Sequence, residues 1–124
     1  MKWTILLVIV ALVVIVFLLK ETGQISSEDA LAYLRQGAVV IDVRSPDEFN
    51  AEHLPTAINL PLEVLESAVP QRVPDKNRVL LLHCQSGMRS AAAMRKLKGL
   101  GYASTYNLGS LARARKIVGS AGGN

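Results

Sequence analysis

The stretch "VLLLHCQSGMRSAAAMRKL" (Val79–Leu97) decides the fold, and it contains Cys84, the only cysteine of the chain. Its first part is a continuous apolar run, which is typical of a strand buried on both faces of a sheet. Its last part is rich in Ala, Met, Leu and Lys, which favour a helix. Gly87 lies between the two parts and permits the tight turn that a short loop needs. The stretch therefore predicts a buried strand, a loop that holds a cysteine, and a helix.

The rest of the chain repeats this alternation of strands and helices. The segment "ISSEDALAYLRQGA" predicts a helix that Ser26 or Ser27 caps and that Gly37 ends. The expected strands are residues 38–43, 57–60, 78–83 and 103–108. Apolar strands that alternate with helices predict an α/β fold, with a central parallel sheet and helices on both faces. Functional sites in such sheets form at the carboxyl ends of the strands, where Asp42–Arg44 and Cys84–Arg89 lie.

A different kind of segment opens the chain. Residues 3–19, "WTILLVIVALVVIVFLL", include no charged residue, no Gly and no Pro. As a helix they extend about 25 Å, close to the roughly 30 Å of a bilayer's hydrocarbon core, and Lys2, Trp3 and Lys20 suit its two interfaces. We expect residues 1–20 to be an uncleaved, single-pass transmembrane anchor and residues 21–24 a linker. The alternatives are a cleaved signal peptide, for which no A-x-A site follows, and a buried core helix, which a 124-residue chain is too short to surround.

Charge and cysteine content limit the partners. The net charge of +4 is mildly basic and favours anionic small molecules or lipid headgroups. Basic and aromatic residues are not interleaved as nucleic-acid binding requires, so we expect no nucleic-acid partner. A single cysteine excludes an internal disulfide, and with the two histidines it lacks the spacing of metal ligands. We therefore predict no metal site and no cofactor.

The loop at Cys84 combines the features of a nucleophilic, anion-binding site. A strand that leads directly into a helix aims unpaired backbone N–H groups at one point, where the helix dipole favours an anion. A cysteine facing that point ionises at neutral pH, and Arg89 adds positive charge. The alternative is an inert, buried cysteine at a strand end. Such a cysteine would not call for Gly87 and Arg89, nor for the small residues Ser86 and Ser90.

Four motifs, in this order, resemble the rhodanese-like (sulfurtransferase) family. They are "ISSEDALAYL", "VVIDVRSPDEF", "EHLPTAINLP" and "LLHCQSGMRSAAAM", the last of which matches the family's loop Cys-x-x-Gly-x-Arg-Ser. The resemblance covers residues 25–118, which we take as one domain, and leaves residues 119–124 as a flexible tail. It is strongest to single-domain bacterial rhodaneses and implies a protein of the bacterial inner membrane. Because Lys2 and the α-amino group precede the apolar segment, the positive-inside rule favours a periplasmic domain over a cytoplasmic one.

The resemblance implies that Cys84 takes sulfane sulfur from a small anionic donor such as thiosulfate and carries it as a persulfide. Cyanide or a cellular thiol, including that of a protein acceptor, would then take the sulfur. The loop residues that would bind the substrate are Gln85, Ser86, Gly87, Met88, Arg89 and Ser90. Asp42 and Arg44 would support the loop, with Asp42 accepting from loop N–H groups or from Arg89. The alternative for these two residues is a structural ion pair. His53 and His83 are interpreted as structural.

Two other functions stay open from the sequence. Related phosphatases and arsenate reductases use Cys-x5-Arg, a loop one residue longer than the Cys-x4-Arg found here, and a smaller loop suits a sulfur atom better than a phosphate. The other alternative is a membrane-tethered persulfide carrier or sensor without fast turnover. Its partner protein or an anionic lipid would contact basic helix residues. These residues are Arg95, Lys96, Lys98, Arg113, Arg115 and Lys116.

Overall fold

The computed structural model describes residues 1–21 and 23–122, without the side chains of residues 19–21. Its helices are α1 (Lys2–Glu21), α2 (Ser27–Arg35), α3 (Pro46–Ala51), α4 (Leu65–Arg72), α5 (Met88–Gly99) and α6 (Leu111–Gly122). Its strands are β1 (Val39–Asp42), β2 (Ile58–Asn59), β3 (Leu80–His83) and β4 (Thr105–Gly109). A 3-10 turn, Leu62–Val64, precedes α4. Each predicted strand is present, and most are shorter than the sequence suggested.

The four strands form one parallel sheet in the order β2-β1-β3-β4. The predicted parallel sheet is therefore confirmed. The register between the two central strands runs from Val39 beside Leu80 to Asp42 beside His83. Because these strands are parallel, the segments that follow Asp42 and His83 emerge together at the carboxyl edge of the sheet.

Two apolar clusters cover the two faces of the sheet, because alternate side chains of a strand point to opposite faces. Ile41, Leu80 and Leu82 pack on the face that α4 and α5 cover, and the cluster on this face includes Cys84. Val40 and Leu81 pack on the opposite face, against apolar residues of α2 and α6. Helices on both faces confirm the predicted architecture.

Local sequence determines where α2 and α3 begin. Ser26 caps α2, and its hydroxyl oxygen accepts a hydrogen bond from the backbone N–H of Asp29 (3.2 Å). A capping box starts α3: the N–H of Glu48 donates to Ser45 Oγ, and the N–H of Ser45 donates back to Glu48 Oε1. These reciprocal bonds satisfy helix N–H groups that have no partner within the helix. They also hold the Glu48 side chain beside the end of β1.

The N-terminal helix α1 presents large apolar side chains to solvent, from Trp3 (78 % exposed) to Leu18 (55 %). Within the part of the chain that the structure describes, no helix is long and apolar enough to cross a membrane. The transmembrane anchor predicted for residues 1–20 is therefore not confirmed. The side chain of Lys20, expected at one membrane interface, lies outside the described residues.

Both predicted ends of the domain differ from the structure. Within the predicted linker 21–24, Gln24 bridges to Asn107 of β4, so the residue belongs to the domain; residue 22 lies outside the described residues. The last helix was predicted to end at Gly119, and α6 instead continues to Gly122, three residues further, within the segment assigned to the tail. The Ser120 hydroxyl bonds the Lys116 carbonyl, and Ala121 is half-buried. Residues 123–124 lie outside the described residues.

Candidate active site

Cys84 lies directly after β3, buried under the loop that leads into α5. The backbone N–H of Gly87 donates to Cys84 Sγ (N···S 3.0 Å), and the Ser90 hydroxyl lies 3.5 Å from the same sulfur. Gly87 is the residue before α5 and has a φ of +97°, a conformation that favours glycine. The predicted turn at Gly87 thus aims its own N–H at the sulfur.

The pKa of the Cys84 thiol lies below its ordinary value, although burial by itself raises it. Hydrogen bonds to the sulfur outweigh the burial, and the largest contribution comes from the Ser90 hydroxyl, followed by the backbone N–H groups of Ser90, Gly87 and Ser86. Donors that point at a sulfur favour its charged form. The hydrogen bonds therefore favour the thiolate, which is the nucleophilic form of cysteine.

A buried amide, Asn107 of β4, connects the loop to the sheet. Its Nδ2 donates to the Gly87 carbonyl (3.1 Å), and its Oδ1 accepts from the Ser90 hydroxyl (2.7 Å) and from the N–H of Gly109 (2.9 Å). This residue was not among those predicted from the sequence. The available signal was an amide inside a strand that is otherwise buried, since a buried polar side chain needs partners.

Arg89 forms a two-pronged ion pair with Glu48 of α3. Its Nη1 and Nη2 donate to Glu48 Oε1 (2.6 Å) and Oε2 (2.8 Å), and both side chains are about one-third exposed. The Arg89 hydrogen bonds lower the pKa of Glu48 to about 2, and Glu48 in turn raises the pKa of Arg89. The Cys84 thiolate makes a smaller contribution to the raised pKa of Arg89. Sequence analysis missed Glu48 as a site residue, although the spacing Ser45-x-x-Glu48 marks a carboxylate at this edge of the sheet.

Asp42 and Arg44 form a buried ion pair at the end of β1. Arg44 donates to both carboxylate oxygens of Asp42 through Nε (3.0 Å to each) and through Nη2 (2.7 Å to Oδ2). The hydrogen bonds to Asp42 raise the pKa of Arg44. Among the described hydrogen bonds, Asp42 accepts from Arg44 and not from the Cys84 loop or from Arg89, whose guanidinium bonds Glu48. Of the two interpretations that the sequence allows, the structure therefore shows the ion pair.

Arg44 reaches two further segments beside the loop. Its Nη1 donates to Gln85 Oε1 (3.3 Å), and its Nη2 donates to the backbone carbonyl of Glu52 (2.6 Å). The first of these bonds joins β1 to the loop that follows β3. The structure thus brings the predicted residues Asp42 and Arg44 next to the loop, with Arg44 alone bonding to it.

One of the two histidines, His83, is buried, and the other, His53, is exposed. The His83 ring is buried, and its Nδ1 donates to the Cys84 carbonyl (3.4 Å). Its Nε2 lies 3.7 Å from Asp42 Oδ2 and has no hydrogen-bond partner among the described residues, and burial lowers the pKa of the ring. His53 stacks on Phe49 and its Nδ1 donates to the Phe49 carbonyl (2.7 Å). Neither ring contacts Cys84 Sγ in the hydrogen bonds described. Within residues 1–21 and 23–122 no three His, Cys, Asp or Glu residues are grouped so as to hold a metal ion.

The mouth of the site is formed by exposed loop side chains. Gln85 and Ser86 are exposed, and Met88 is 69 % exposed, which is unusual for a large apolar residue. The arrangement places a buried cysteine sulfur at a helix N-terminus, where hydrogen-bond donors favour its thiolate form. Chemically it can attack an electrophilic atom and stabilise negative charge on the product.

Comparison with known proteins agrees with this arrangement. The sequence profile of the rhodanese-like domain matches residues 26–112. The chain is 38 % identical over 71 residues to the thiosulfate sulfurtransferase PspE of Escherichia coli, an alignment that covers 57 % of this chain and 68 % of that protein. It is 32 % identical over 88 residues to the thiosulfate sulfurtransferase GlpE of Pseudomonas syringae, covering 71 % of this chain and 81 % of that protein.

A solved sulfurtransferase structure also has a similar fold. The fold is similar to that of the human single-domain sulfurtransferase TSTD1, with a TM-score of 0.66 and 29 % identity. That alignment covers 76 % of this chain and 96 % of the human protein. The profile match alone extends over more than half of the chain, so this protein belongs to the rhodanese-like domain family.

Proposed function

We propose that this protein transfers sulfane sulfur from thiosulfate, or a similar donor, to a thiophilic acceptor through a persulfide on Cys84. The observation that carries the proposal is the buried Cys84 sulfur held by the Gly87 N–H and the Ser90 hydroxyl at the start of α5. These donors favour a thiolate, and they are placed to stabilise the terminal sulfur of a persulfide, which is also anionic. The sulfurtransferase names of the PspE and GlpE relatives support the same chemistry.

The reaction would proceed in two displacement steps. The Cys84 thiolate attacks the outer sulfur of thiosulfate, a new S–S bond forms, and the original S–S bond breaks as sulfite leaves with the electron pair. Cyanide or a thiolate then attacks the outer sulfur of the Cys84 persulfide. Thiocyanate or a new persulfide leaves, and the Cys84 thiolate is regenerated. Covalent catalysis of this kind divides one transfer into two easier steps.

The loop supports sulfur transfer over phosphoryl transfer. Four residues separate Cys84 from Arg89, one fewer than in the related phosphatases. The pairing of Arg89 with Glu48 also leaves its guanidinium partly neutralised. A phosphate ester needs concentrated positive charge to stabilise its transferring oxygens, and this site does not provide it.

The role we propose for Arg89 and Arg44 follows from their bonds. Arg89 would interact with the anionic donor while it remains bound to Glu48, and Arg44 would hold the loop through Gln85. Asp42 fixes the orientation of Arg44. These are positioning and electrostatic roles, and Cys84 alone forms covalent bonds.

We further propose that α1 attaches the domain to the bacterial inner membrane, with the domain on the periplasmic side. The exposed apolar side chains between Trp3 and Leu18 support attachment to lipid, because soluble proteins rarely expose a continuous apolar surface of this length. The basic residues of α5 and α6 would contact lipid headgroups or an acceptor protein. Fractionation of cells, with a reporter fused to the C-terminus, tests both the attachment and the side.

Mass spectrometry tests the sulfurtransferase proposal directly. After incubation with thiosulfate, the intact protein should gain the mass of one sulfur atom, and a peptide map should place it on Cys84. The Cys84→Ser variant serves as the control and should gain nothing. Equal sulfur uptake by Cys84→Ser would refute the mechanism. Rapid turnover with cyanide would indicate an enzyme, whereas a stable persulfide with little turnover would indicate a carrier or sensor.

A further inference from the structure

The charged side chains that border the loop are paired in the structure. Arg44 is paired with Asp42, and Arg89 is paired with Glu48. The formal charges of these four side chains therefore cancel. An incoming anion can therefore bind chiefly to the N–H groups at the start of α5 and to the Arg89 guanidinium, which is already paired with Glu48.

Glu48 is not free to leave Arg89. Its Oε1 also accepts from the Ser45 N–H (3.2 Å) and from the Ser45 hydroxyl (3.1 Å), because Glu48 closes the capping box of α3. An anion that displaced Glu48 from Arg89 would have to compete with two strong hydrogen bonds while the capping box holds the carboxylate in place. The donor must therefore bind with the negative charge of Glu48 close by.

We propose that Glu48 is a specificity-determining residue that selects sulfur donors by charge, disfavouring dianionic donors such as thiosulfate relative to monoanionic ones. This inference rests on the sulfur-transfer function proposed above. The favoured class would be compounds with a single negative charge on or near the transferable sulfur, such as thiosulfonates and small organic persulfides. The repulsion from Glu48 is twice as large for a dianion as for a monoanion at the same position.

Two donors with the same reacting bond isolate this charge effect. Methanethiosulfonate carries one negative charge and thiosulfate carries two. In both cases the Cys84 thiolate attacks the outer sulfur and forms an S–S bond. The bond from that sulfur to the oxidised sulfur breaks, and methanesulfinate or sulfite leaves with the electron pair. The ratio of kcat/KM for thiosulfate to kcat/KM for methanethiosulfonate, with cyanide as acceptor, therefore reports charge selection.

The test compares this ratio in the full-length protein and three variants at low salt. Glu48→Gln keeps an oxygen that can accept from Ser45 but removes the charge, and the ratio should rise by about tenfold, the change that 1.4 kcal/mol represents. Arg89→Gln removes the ion-pair partner of Glu48 and leaves the Glu48 charge uncompensated, so the ratio should fall by a similar factor. The double variant has the net charge of the wild type, so its ratio should return to within about twofold of the wild-type value. Added salt should reduce each difference, since these side chains are partly exposed.

Glu66→Gln is the matched control, because Glu66 also carries an exposed carboxylate paired with a base, Lys96 of α5, outside the loop. Its ratio should equal that of the wild type. A Glu48→Gln variant with an unchanged ratio would overturn the inference. A second contrary result is that Glu48→Gln lowers kcat/KM equally for both donors and that the double variant has a lower kcat/KM than either single variant. If wild-type Cys84 took sulfur from neither donor, the proposed function itself would fail. Normal sulfur uptake with an unchanged ratio would refute charge selection alone.

Discussion

The Ser90 hydroxyl provides the sharpest test of how the loop activates Cys84. This hydroxyl makes the largest contribution that lowers the pKa of the thiol, yet it lies 3.5 Å from the sulfur and only 2.7 Å from Asn107 Oδ1. A hydroxyl has one hydrogen to donate. Ser90→Ala removes this donor while leaving the backbone of α5 unchanged, so it measures the contribution of the hydroxyl to the thiolate.

The magnitude follows from the geometry. A hydrogen bond to a charged acceptor contributes about 1.5–3 kcal/mol, and the long O···S distance of 3.5 Å places this one at the lower end. About 1.4 kcal/mol corresponds to a tenfold change in the ionisation equilibrium. The variant should therefore have a higher thiol pKa and about tenfold less thiolate at pH values below the pKa of both proteins. Above both pKa values the two proteins should contain the same fraction of thiolate.

The assay is the rate of Cys84 alkylation by iodoacetamide as a function of pH, because the thiolate is the reacting form. Cys84 is the only cysteine of the chain, so the total rate reports this residue. Ser120→Ala is the control: it removes a serine hydroxyl that bonds a helix carbonyl at the surface of α6, and its profile should match the wild type. A Ser90→Ala variant that is folded and has an unchanged pH profile would show that the Ser90 hydrogen is donated to Asn107 or to the Gly87 carbonyl and not to the sulfur.

Three further predictions address the scaffold of the site. Asn107→Ala leaves the Gly109 N–H without its partner and removes one of the donors to the Gly87 carbonyl, so it should lower the free energy of unfolding by about 1–3 kcal/mol, measured by urea denaturation; a change below about 0.5 kcal/mol would contradict the connection drawn between loop and sheet. The folded-state pKa of Glu48 lies at about 2, below its ordinary 4.5, so its ion pair stabilises the fold fully above pH 4.5 and loses this effect as the pH falls towards 2. Acid denaturation curves of Glu48→Gln should accordingly be less steep over that interval, and parallel curves would refute the assignment. Removal of residues 1–20 should leave a folded domain that still takes sulfur from thiosulfate, and a truncated protein without cooperative thermal unfolding would show that α1 belongs to the core.

The parts of the site that the sequence predicted are those in which the interacting groups are close along the chain. Cys84, Gly87 and Ser90 lie within seven residues of each other, and the strand-loop-helix pattern constrains their geometry. The same applies to the pair formed by Asp42 and Arg44, although the sequence alone left open whether Asp42 binds Arg44 or the loop. Local patterns carry this information because backbone geometry within one loop has few solutions.

Glu48 and Asn107 were missed because their partners lie far away in sequence. Glu48 bonds Arg89 on another helix, and Asn107 bonds Gly87 across neighbouring strands. Such pairings depend on the order of strands and on which helix covers which face, and no local pattern determines them. The end of α6 was misjudged for a simpler reason. Gly119 suggested a helix end, but the backbone bonds continue to Gly122.

The capping box of α3 limits how the protein can change. The carboxylate of Glu48 serves α3 through Ser45 and serves the loop through Arg89. A substitution at this position other than glutamine, which keeps an oxygen that can accept from Ser45, therefore alters helix stability and the electrostatics of the site at the same time. Such variants would need a second substitution near Ser45 to restore the start of the helix. Directed evolution of donor preference in this scaffold should accordingly select either Glu48→Gln alone or pairs of changes in residues 45–48.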